Sequence, residues 1–121
     1  MKVIIDTNGL MIPAQFNVDI FDELIRIGYD DFIVPKAVIE ELEILNKKAK
    51  GTDRTAAKIA KSLSGRCRLV DITGNADDVI EELAFEMDAD VLTNDIELKK
   101  KLISRGIRVV YLRQKNCLAT T

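Results

Sequence analysis

The sequence predicts an α/β domain in which helices cover both faces of a parallel β-sheet. Short β-branched runs alternate along the chain with amphipathic helical stretches, which is the pattern of βαβ units. The first run, Val3-Ile4-Ile5, is apolar without alternation, as expected for a central strand covered on both faces. At 121 residues and 47% hydrophobic content the chain can build one continuous core, so we expect residues 1–121 to form a single domain.

Five strands are predicted from short runs rich in Val, Ile and Leu that are bounded by polar or turn residues. They are Lys2–Asp6, Phe32–Val34, Arg68–Asp71, Asp90–Thr93 and Arg108–Leu112.

Five helices are predicted between these strands, each from apolar residues three and four apart and from a residue that starts or ends a helix. They are Val18–Ile27, which stops at Gly28; a helix opened by Pro35 and interrupted at Gly51; Asp53–Leu63, ending near Gly65; a helix that starts after Asn75 and carries Val79, Ile80, Leu83, Ala84 and Met87; and Asp95–Ser104, which stops at Gly106.

The chain contains no histidine, and this excludes ribonucleases of the paired-histidine type and Ser-His-Asp hydrolases. Its two cysteines, Cys67 and Cys117, have no C-x-x-C spacing, so we expect idle thiols in a cytoplasmic protein. No run approaches the roughly 20 apolar residues of a membrane span, and no signal peptide is predicted. Catalysis would have to rest on carboxylates, lysine or metal.

Acidic and basic residues are segregated along the chain. Residues 1–46 hold nine acids and three bases, residues 47–70 hold eight bases and one acid, residues 71–97 hold ten acids and no base, and residues 98–121 hold only bases. This segregation suits a metal site with polyanion-binding walls, and the alternative is a set of solvated helix faces. The RNA-binding candidates are Lys47, Lys48, Lys50 and Arg54.

Several acids are expected at one edge of the sheet, because ligands of open parallel sheets bind beyond the carboxyl ends of the strands. Asp6 ends the first strand and Asp95 follows the fourth. Glu40 and Glu41 lie about two turns into the second predicted helix, where an exposed helix surface is the alternative explanation. Asp77 and Asp78 lie in the first turn of the fourth, where the alternative is a favourable interaction with the helix dipole. Converging carboxylates repel one another unless a divalent cation neutralises them, and oxygen ligands select Mg²⁺ or Mn²⁺.

Helix geometry separates the two neighbouring glutamates of the second predicted helix. Val38, Leu42 and Leu45 define a buried stripe, and at about 100° per residue Glu41 falls at its edge while Glu40 points away. Glu41 is therefore the predicted ligand.

Four motifs in order resemble the PIN domain nucleases over residues 2–113: Asp6-Thr7-Asn8 after a strand, Pro35-x-x-Val38-x-x-Glu41-Leu42, Asp77-x-x-Ile80, and Thr93-Asn94-Asp95 after a strand. The resemblance implies a three-layer fold with strand order 3-2-1-4-5, which puts Cys67 and Cys117 at opposite edges and makes a disulfide unlikely. It also implies metal binding by Asp6, Glu41, Asp77 and Asp95, and support from Asn8, Thr93 or Asn94. Glu97 is implied as an outer-shell acid.

The implied activity is Mg²⁺- or Mn²⁺-dependent hydrolysis of RNA, leaving a 5′-phosphate and a 3′-hydroxyl. The resemblance leaves open a toxin restrained by an antitoxin and a nuclease of ribosomal RNA processing with a ribosome-assembly partner. It also leaves open a homodimer, and a non-catalytic RNA-binding or scaffold domain. With four Phe and two Tyr, base stacking is expected to contribute little. No G-x-G-x-x-G or phosphate-binding loop motif supports a nucleotide cofactor.

Overall fold

The computed structural model describes all residues, Met1–Thr121, as six strands and six helices. In chain order the elements are β1 (Lys2–Ile5), α1 (Thr7–Phe16), α2 (Ile20–Arg26), β2 (Asp31–Pro35), α3 (Lys36–Lys48), α4 (Thr52–Ser64), β3 (Arg68–Val70), α5 (Ala76–Met87), β4 (Asp90–Leu92), α6 (Ile96–Ser104), β5 (Val109–Arg113) and β6 (Cys117–Thr120).

The strands form one sheet in the order β3-β2-β1-β4-β5-β6. The first five are parallel, and their predicted order is confirmed. The prediction of five strands is wrong by one, because β6 turns back to pair antiparallel with β5, from Arg113 opposite Cys117 to Val110 opposite Thr120. The turn contains Gln114 and Lys115, both with positive φ. Only Leu118 of β6 is buried, so this edge strand leaves little hydrophobic pattern in the sequence.

A hydrophobic cluster of 31 buried residues lies between the sheet and its helices. The three apolar residues of β1 have no solvent exposure, as predicted for a central strand. Helix α4 packs against α1 and α3, whereas α5 packs against α6 and against strands β2 and β4. The sheet is thus flanked by helices, in agreement with the predicted α/β class.

Helix α1 is absent from the sequence prediction, and this is a correction. Pro13 lies inside it and lacks the amide that would bond to the carbonyl of Gly9. Two signals do mark the helix: the Asp6 side chain caps its start, and Asn17 ends it in the left-handed conformation. Buried Leu10, Met11 and Ile12 anchor it to the core, and this packing outweighs the poor helix propensity of Pro13.

The other helices follow the prediction, with shifted boundaries. Pro35 is not the first residue of α3: it ends β2, pairs with Val70 and lies just before the helix. Helix α2 starts later than predicted, because the side chain of Asp19 caps it at Ile20. Asn75 caps α5 as expected from the sequence.

Both cysteines are free, and they lie next to β3 and in β6 at opposite edges of the sheet, as expected. None of the six helices is long and apolar enough to span a bilayer.

Helix α1 passes so close to β4 that only glycine fits at position 9. A Cβ atom on Gly9 would lie 2.9 Å from the backbone oxygen of Leu92 and 3.2 Å from Cγ2 of Ile5. We therefore expect Gly9→Ala to lower the free energy of unfolding by about 1–3 kcal/mol, despite the better helix propensity of alanine. Urea unfolding measures the loss. Gly65→Ala is the control, since its nearest contact, the Ser62 oxygen, is 3.3 Å away, and an equal loss in both variants would contradict the argument.

Candidate metal and catalytic site

Four of the acids singled out in the sequence line one small cavity at the carboxyl edge of the parallel strands. The cavity has a volume of about 180 Å³. Asp6 follows β1, Glu41 lies in the second turn of α3, Asp77 lies in the first turn of α5 and Asp95 precedes α6. The topology thus brings together residues that are up to 89 positions apart in the chain.

Asp6 is the most buried of these acids, with only 4% of its surface exposed. Its Oδ1 atom accepts a hydrogen bond of 2.8 Å from the amide of Gly9, and its Oδ2 atom accepts one of 2.6 Å from the hydroxyl of Thr93. Its backbone amide donates to the carbonyl of Leu92. Asp6 is therefore fixed from both α1 and β4, and its side chain has one defined orientation.

Thr93 is fully buried and connects the rest of the site to Asp6. Its hydroxyl oxygen accepts a 3.0 Å hydrogen bond from the amide of Asp95. Beside it, the Oδ1 atom of Asn8 accepts a 2.9 Å hydrogen bond from the amide of Asn94, and the Asn94 Oδ1 atom accepts one from Leu112. The three polar residues implied as supports therefore link the ends of β1, β4 and β5.

Asp77 and Asp95 both belong to helix starts. The Oδ1 atom of Asp95 accepts hydrogen bonds from the amides of Glu97 and Leu98, which leaves its Oδ2 atom without a hydrogen bond inside the chain. The segment between β3 and α5 is tied to the first turn of α3 by a 2.9 Å hydrogen bond from the Ala37 amide to the Ile72 carbonyl. This contact brings Asp77 to the same cavity as Glu41.

The electrostatics of the cavity disfavour its negative charge. Burial raises the pKa of Asp6 to about 7, although the hydrogen bonds from Thr93 and Gly9 oppose the shift, and the charges of Asp77 and Asp95 add to it. Burial also raises the pKa of Asp77, and the charges of Asp95 and Glu41 raise it further. No lysine or arginine forms an ion pair with any of the four acids.

The donor set fits a hard divalent cation, since the polar side chains around the cavity are the four carboxylates, Thr7 and Asn8, and the one sulfur belongs to the buried Met11. The buried hydroxyl of Thr7, which the sequence analysis did not select, also lines the cavity and has no hydrogen-bond partner. As the side chains stand, no three acids are close enough to enclose an ion. The cavity is therefore an open acidic site, in which the exposed side chain of Glu41 is free to change rotamer.

The neighbouring acids lie elsewhere. Glu40 and Asp78 are exposed and do not line the cavity. Glu97, implied as an outer-shell acid, is also exposed, with its carboxylate 3.9 Å from the ammonium of Lys100. Its contact with the site is made by its backbone amide, which donates to Asp95.

The predicted RNA-binding cations extend from the cavity along α3. Glu41, Leu45 and Lys48 are spaced four and three apart and so share one helix face, on which Glu41 and Leu45 line the cavity. Lys47, Lys48, Lys50 and Arg54 are all exposed, and none forms an ion pair within the chain.

Sequence comparison matches residues 3–115 to a family described as "PIN like domain". Ribonuclease VapC9 of Archaeoglobus fulgidus is 32% identical over 111 residues, which cover 92% of this chain and 82% of the relative. Ribonuclease VapC4 of Methanocaldococcus jannaschii is 35% identical over 120 residues, which cover 94% and 92% of the two chains.

Among solved structures, the PIN domain endonuclease Utp24 superimposes with a TM-score of 0.78 at 27% identity, covering 98% of this chain and 90% of that one. VapBC2 from Rickettsia felis, bound to a DNA fragment from its promoter, gives a TM-score of 0.67 at 17% identity, covering 92% and 98%. The second similarity concerns the fold alone.

Asp6→Asn is expected to stabilise the metal-free protein, and increasingly so as pH rises. Wild-type Asp6 has a pKa of about 7 in the folded protein against an ordinary value of 3.8, so it holds its proton more tightly when folded. The loss of folding stability caused by its buried charge is therefore absent below about pH 4, grows from there and is complete above pH 7. The side-chain amide of the Asp6→Asn variant can accept from Gly9 and donate to Thr93, whose hydroxyl can then turn to Asn8, 3.5 Å away.

Urea unfolding in EDTA at pH 4.5 and pH 8 measures this difference, which we expect to reach a few kcal/mol at the higher pH. Glu86→Gln, the same chemical change at an exposed position, is the control and should differ little from wild type at either pH. A gain for Asp6→Asn that is equal at both pH values would contradict the assignment of the penalty to the buried charge.

Proposed function

The chain belongs to the PIN-like domain family of nucleases, and from this premise we propose that it is a Mg²⁺- or Mn²⁺-dependent ribonuclease that hydrolyses RNA phosphodiester bonds. The observation that carries the proposal is the convergence of Asp6, Glu41, Asp77 and Asp95 on one cavity without an ion pair. Such a cluster is unfavourable as a structural element and suited to binding cations.

The four carboxylates would hold one or two divalent ions, with Asn8 and the hydroxyl of Thr7 within the same cavity. Bound magnesium or manganese supplies positive charge for the scissile phosphate and a water of lowered pKa at the site. Hydrolysis by water requires no attack from the ribose 2′-hydroxyl, so we expect a 5′-phosphate and a 3′-hydroxyl as products.

The residues of this chain have separate parts in that reaction. Thr93 and Gly9 fix the carboxylate of Asp6 by hydrogen bonds, so that it faces the cavity in one orientation. Asp95 keeps one oxygen free for the site while the other caps α6. The acids repel a bare phosphate, so the strand would be bound by the exposed cations of α3 and α4.

Of the two biological roles that remain open, we favour the toxin restrained by a protein antitoxin, acting on RNA in the cytoplasm. Two relatives that are 32% and 35% identical to the chain carry the ribonuclease VapC name, and the VapBC2 structure shares the fold. Co-expression with the product of a neighbouring small reading frame would test this role, since an antitoxin should suppress both toxicity and RNA cleavage.

Replacing Glu41 tests the proposed function most directly, because Glu40 provides a matched control one position away. Glu41→Gln should lower Mn²⁺-dependent RNA cleavage by more than the roughly 10–100-fold typical of outer-shell partners. Glu40→Gln should stay close to wild type, since its side chain does not line the cavity. Cleavage of labelled RNA is measured over a range of Mn²⁺ and Mg²⁺ concentrations, and again in EDTA.

Two results of this assay would overturn the proposal. Full wild-type cleavage in EDTA would exclude a metal-dependent reaction. Absence of cleavage on every RNA, with metal and with RNA binding intact, would favour the non-catalytic RNA-binding or scaffold domain. The opposite ranking of the two glutamates would instead mean that the ligand on α3 is misassigned.

Replacing Lys47, Lys48 and Lys50 with Ser should weaken RNA binding across sequences, because phosphate contacts carry no base information. If all three cations contact phosphates of a single strand, the slope of log affinity against log salt should fall by about 2. The double variant Lys2→Ser, Arg108→Ser removes cations at the amino ends of the strands, away from the cavity, and should leave this slope unchanged. An unaltered slope for the triple variant would identify these lysines as solvated surface.

A further inference from the structure

A second concave surface adjoins the acidic cavity. It has a volume of about 520 Å³, within the roughly 300–1,000 Å³ usual for ligand sites. Its wall includes Thr93 and Asn94, and Thr93 bonds directly to Asp6 of the acidic cavity. The Asn94 side chain accepts from the Leu112 amide and so fixes β5, on the other side of this surface, to the same segment. We call this surface the Tyr111 groove.

The floor of the Tyr111 groove is apolar and partly aromatic. Phe16, Tyr111 and Leu112 are each half-buried there. Ile96, the first residue of α6, lies beside them with 67% of its surface exposed, although most large aliphatic residues of the chain are buried. An exposed isoleucine next to two aromatic rings forms a flat apolar surface that the hydrophobic core does not use.

The charge of the Tyr111 groove is opposite to that of the adjoining cavity. Its lining contains Lys99 and Lys115 and no acid, whereas the cavity contains four acids. The ammonium of Lys99 lies 4.1 Å from the centroid of the Tyr111 ring, and neither lysine forms an ion pair. Lys115 is therefore open to an anionic ligand, whereas Lys99 covers one face of the Tyr111 ring, and a flat apolar group would stack on the other face or in place of the ammonium.

We propose that the Tyr111 groove binds the nucleotide next to the scissile phosphate, with its base stacked on Tyr111 and its phosphate near Lys99 and Lys115. The inference rests on the proposed function, because it places the substrate strand across the exposed residues Asn94 and Ile96, on either side of Asp95. A nucleotide matches both properties of the groove: a planar base for the aromatic floor and a phosphate for the lysines. The proposal gives the base a larger part in binding than the low aromatic content predicts.

A nucleotide fits this surface better than a protein partner. The groove and the cavity lie on either side of one short segment, in which Asp95 lines the cavity while Asn94 and Ile96 line the groove, so one strand that crosses this segment can reach both. Stacking does not depend on the identity of the base, and it leaves the Gln114 side chain at the rim to read the base edge.

The test compares a labelled oligoadenylate with an abasic strand of the same length and number of phosphates. Affinities are measured by fluorescence anisotropy in EDTA, so that neither strand is cut. Wild type should bind oligoadenylate more tightly than the abasic strand. Tyr111→Leu should weaken oligoadenylate binding by roughly tenfold and leave abasic-strand binding unchanged. Tyr111→Phe, which keeps the ring, should bind both strands like wild type.

Phe85→Leu is the control, because the Phe85 ring also lies below a cation, 4.5 Å from the guanidinium of Arg105, but is exposed and lies outside the groove. It should change neither affinity. Lys99→Gln should weaken both strands and reduce the salt dependence, since it removes charge rather than stacking. Thermal unfolding of each variant separates weaker binding from loss of fold.

Three results of the binding assay would overturn the inference: equal affinity of wild type for both strands, equal weakening of both strands by Tyr111→Leu, or equal effects of Tyr111→Leu and Phe85→Leu. Self-association that Tyr111→Leu abolishes, with RNA binding unchanged, would also overturn it and reassign the groove to an interface between copies. If base-dependent binding is found but no metal restores cleavage, the proposed function fails while the nucleotide site stands.

Discussion

The hydrogen bond between Asp6 and Thr93 is the contact on which the site depends most. It joins the end of β1 to the end of β4, the two central strands of the sheet, and both residues are almost fully buried. The Thr93 hydroxyl also accepts from Asp95, so the start of α6 is placed relative to the same carboxylate. Without this hydroxyl, one oxygen of Asp6 would be buried with no partner, which is a costly arrangement for a charged group.

The rest of the fold stabilises an acid cluster that is unfavourable by itself. The buried β1 residues, the close approach of Gly9 to Leu92 and the bond from Ala37 of α3 to Ile72, in the segment before α5, all come from ordinary backbone and apolar packing. Their combined effect is to hold four carboxylates on one cavity that their mutual repulsion would otherwise open. Burial raises the pKa of both Asp6 and Asp77 and the neighbouring acids add to both shifts, so the fold holds these carboxylates where their charged forms are disfavoured.

Much of this arrangement could be predicted from the sequence, because a buried parallel strand leaves a short run of apolar residues and a capped helix leaves a capping residue at its end. The order of five strands came from family resemblance and is confirmed, but Pro13 concealed α1 and the largely exposed β6 left no pattern. The acids could be placed at one edge from strand ends and helix starts. Their distances, the partnerless hydroxyl of Thr7 and the grouping of Tyr111 with Ile96 depend on side-chain packing between distant segments, which no single stretch of sequence encodes.

The segregation of charge along the chain acquires a spatial meaning in the structure. The acids of residues 1–46 and 71–97 supply the cavity. Among the bases, Lys48 lies on the α3 face that carries Glu41 and Leu45, and Lys99 of α6 lines the Tyr111 groove. The acids repel a phosphate until divalent cations neutralise them, whereas the bases attract a phosphate with or without those cations. Binding of the strand and reaction at the phosphate therefore depend on different residues and on different ions. For this reason monovalent salt should act mainly on affinity, and removal of divalent metal mainly on the chemical step.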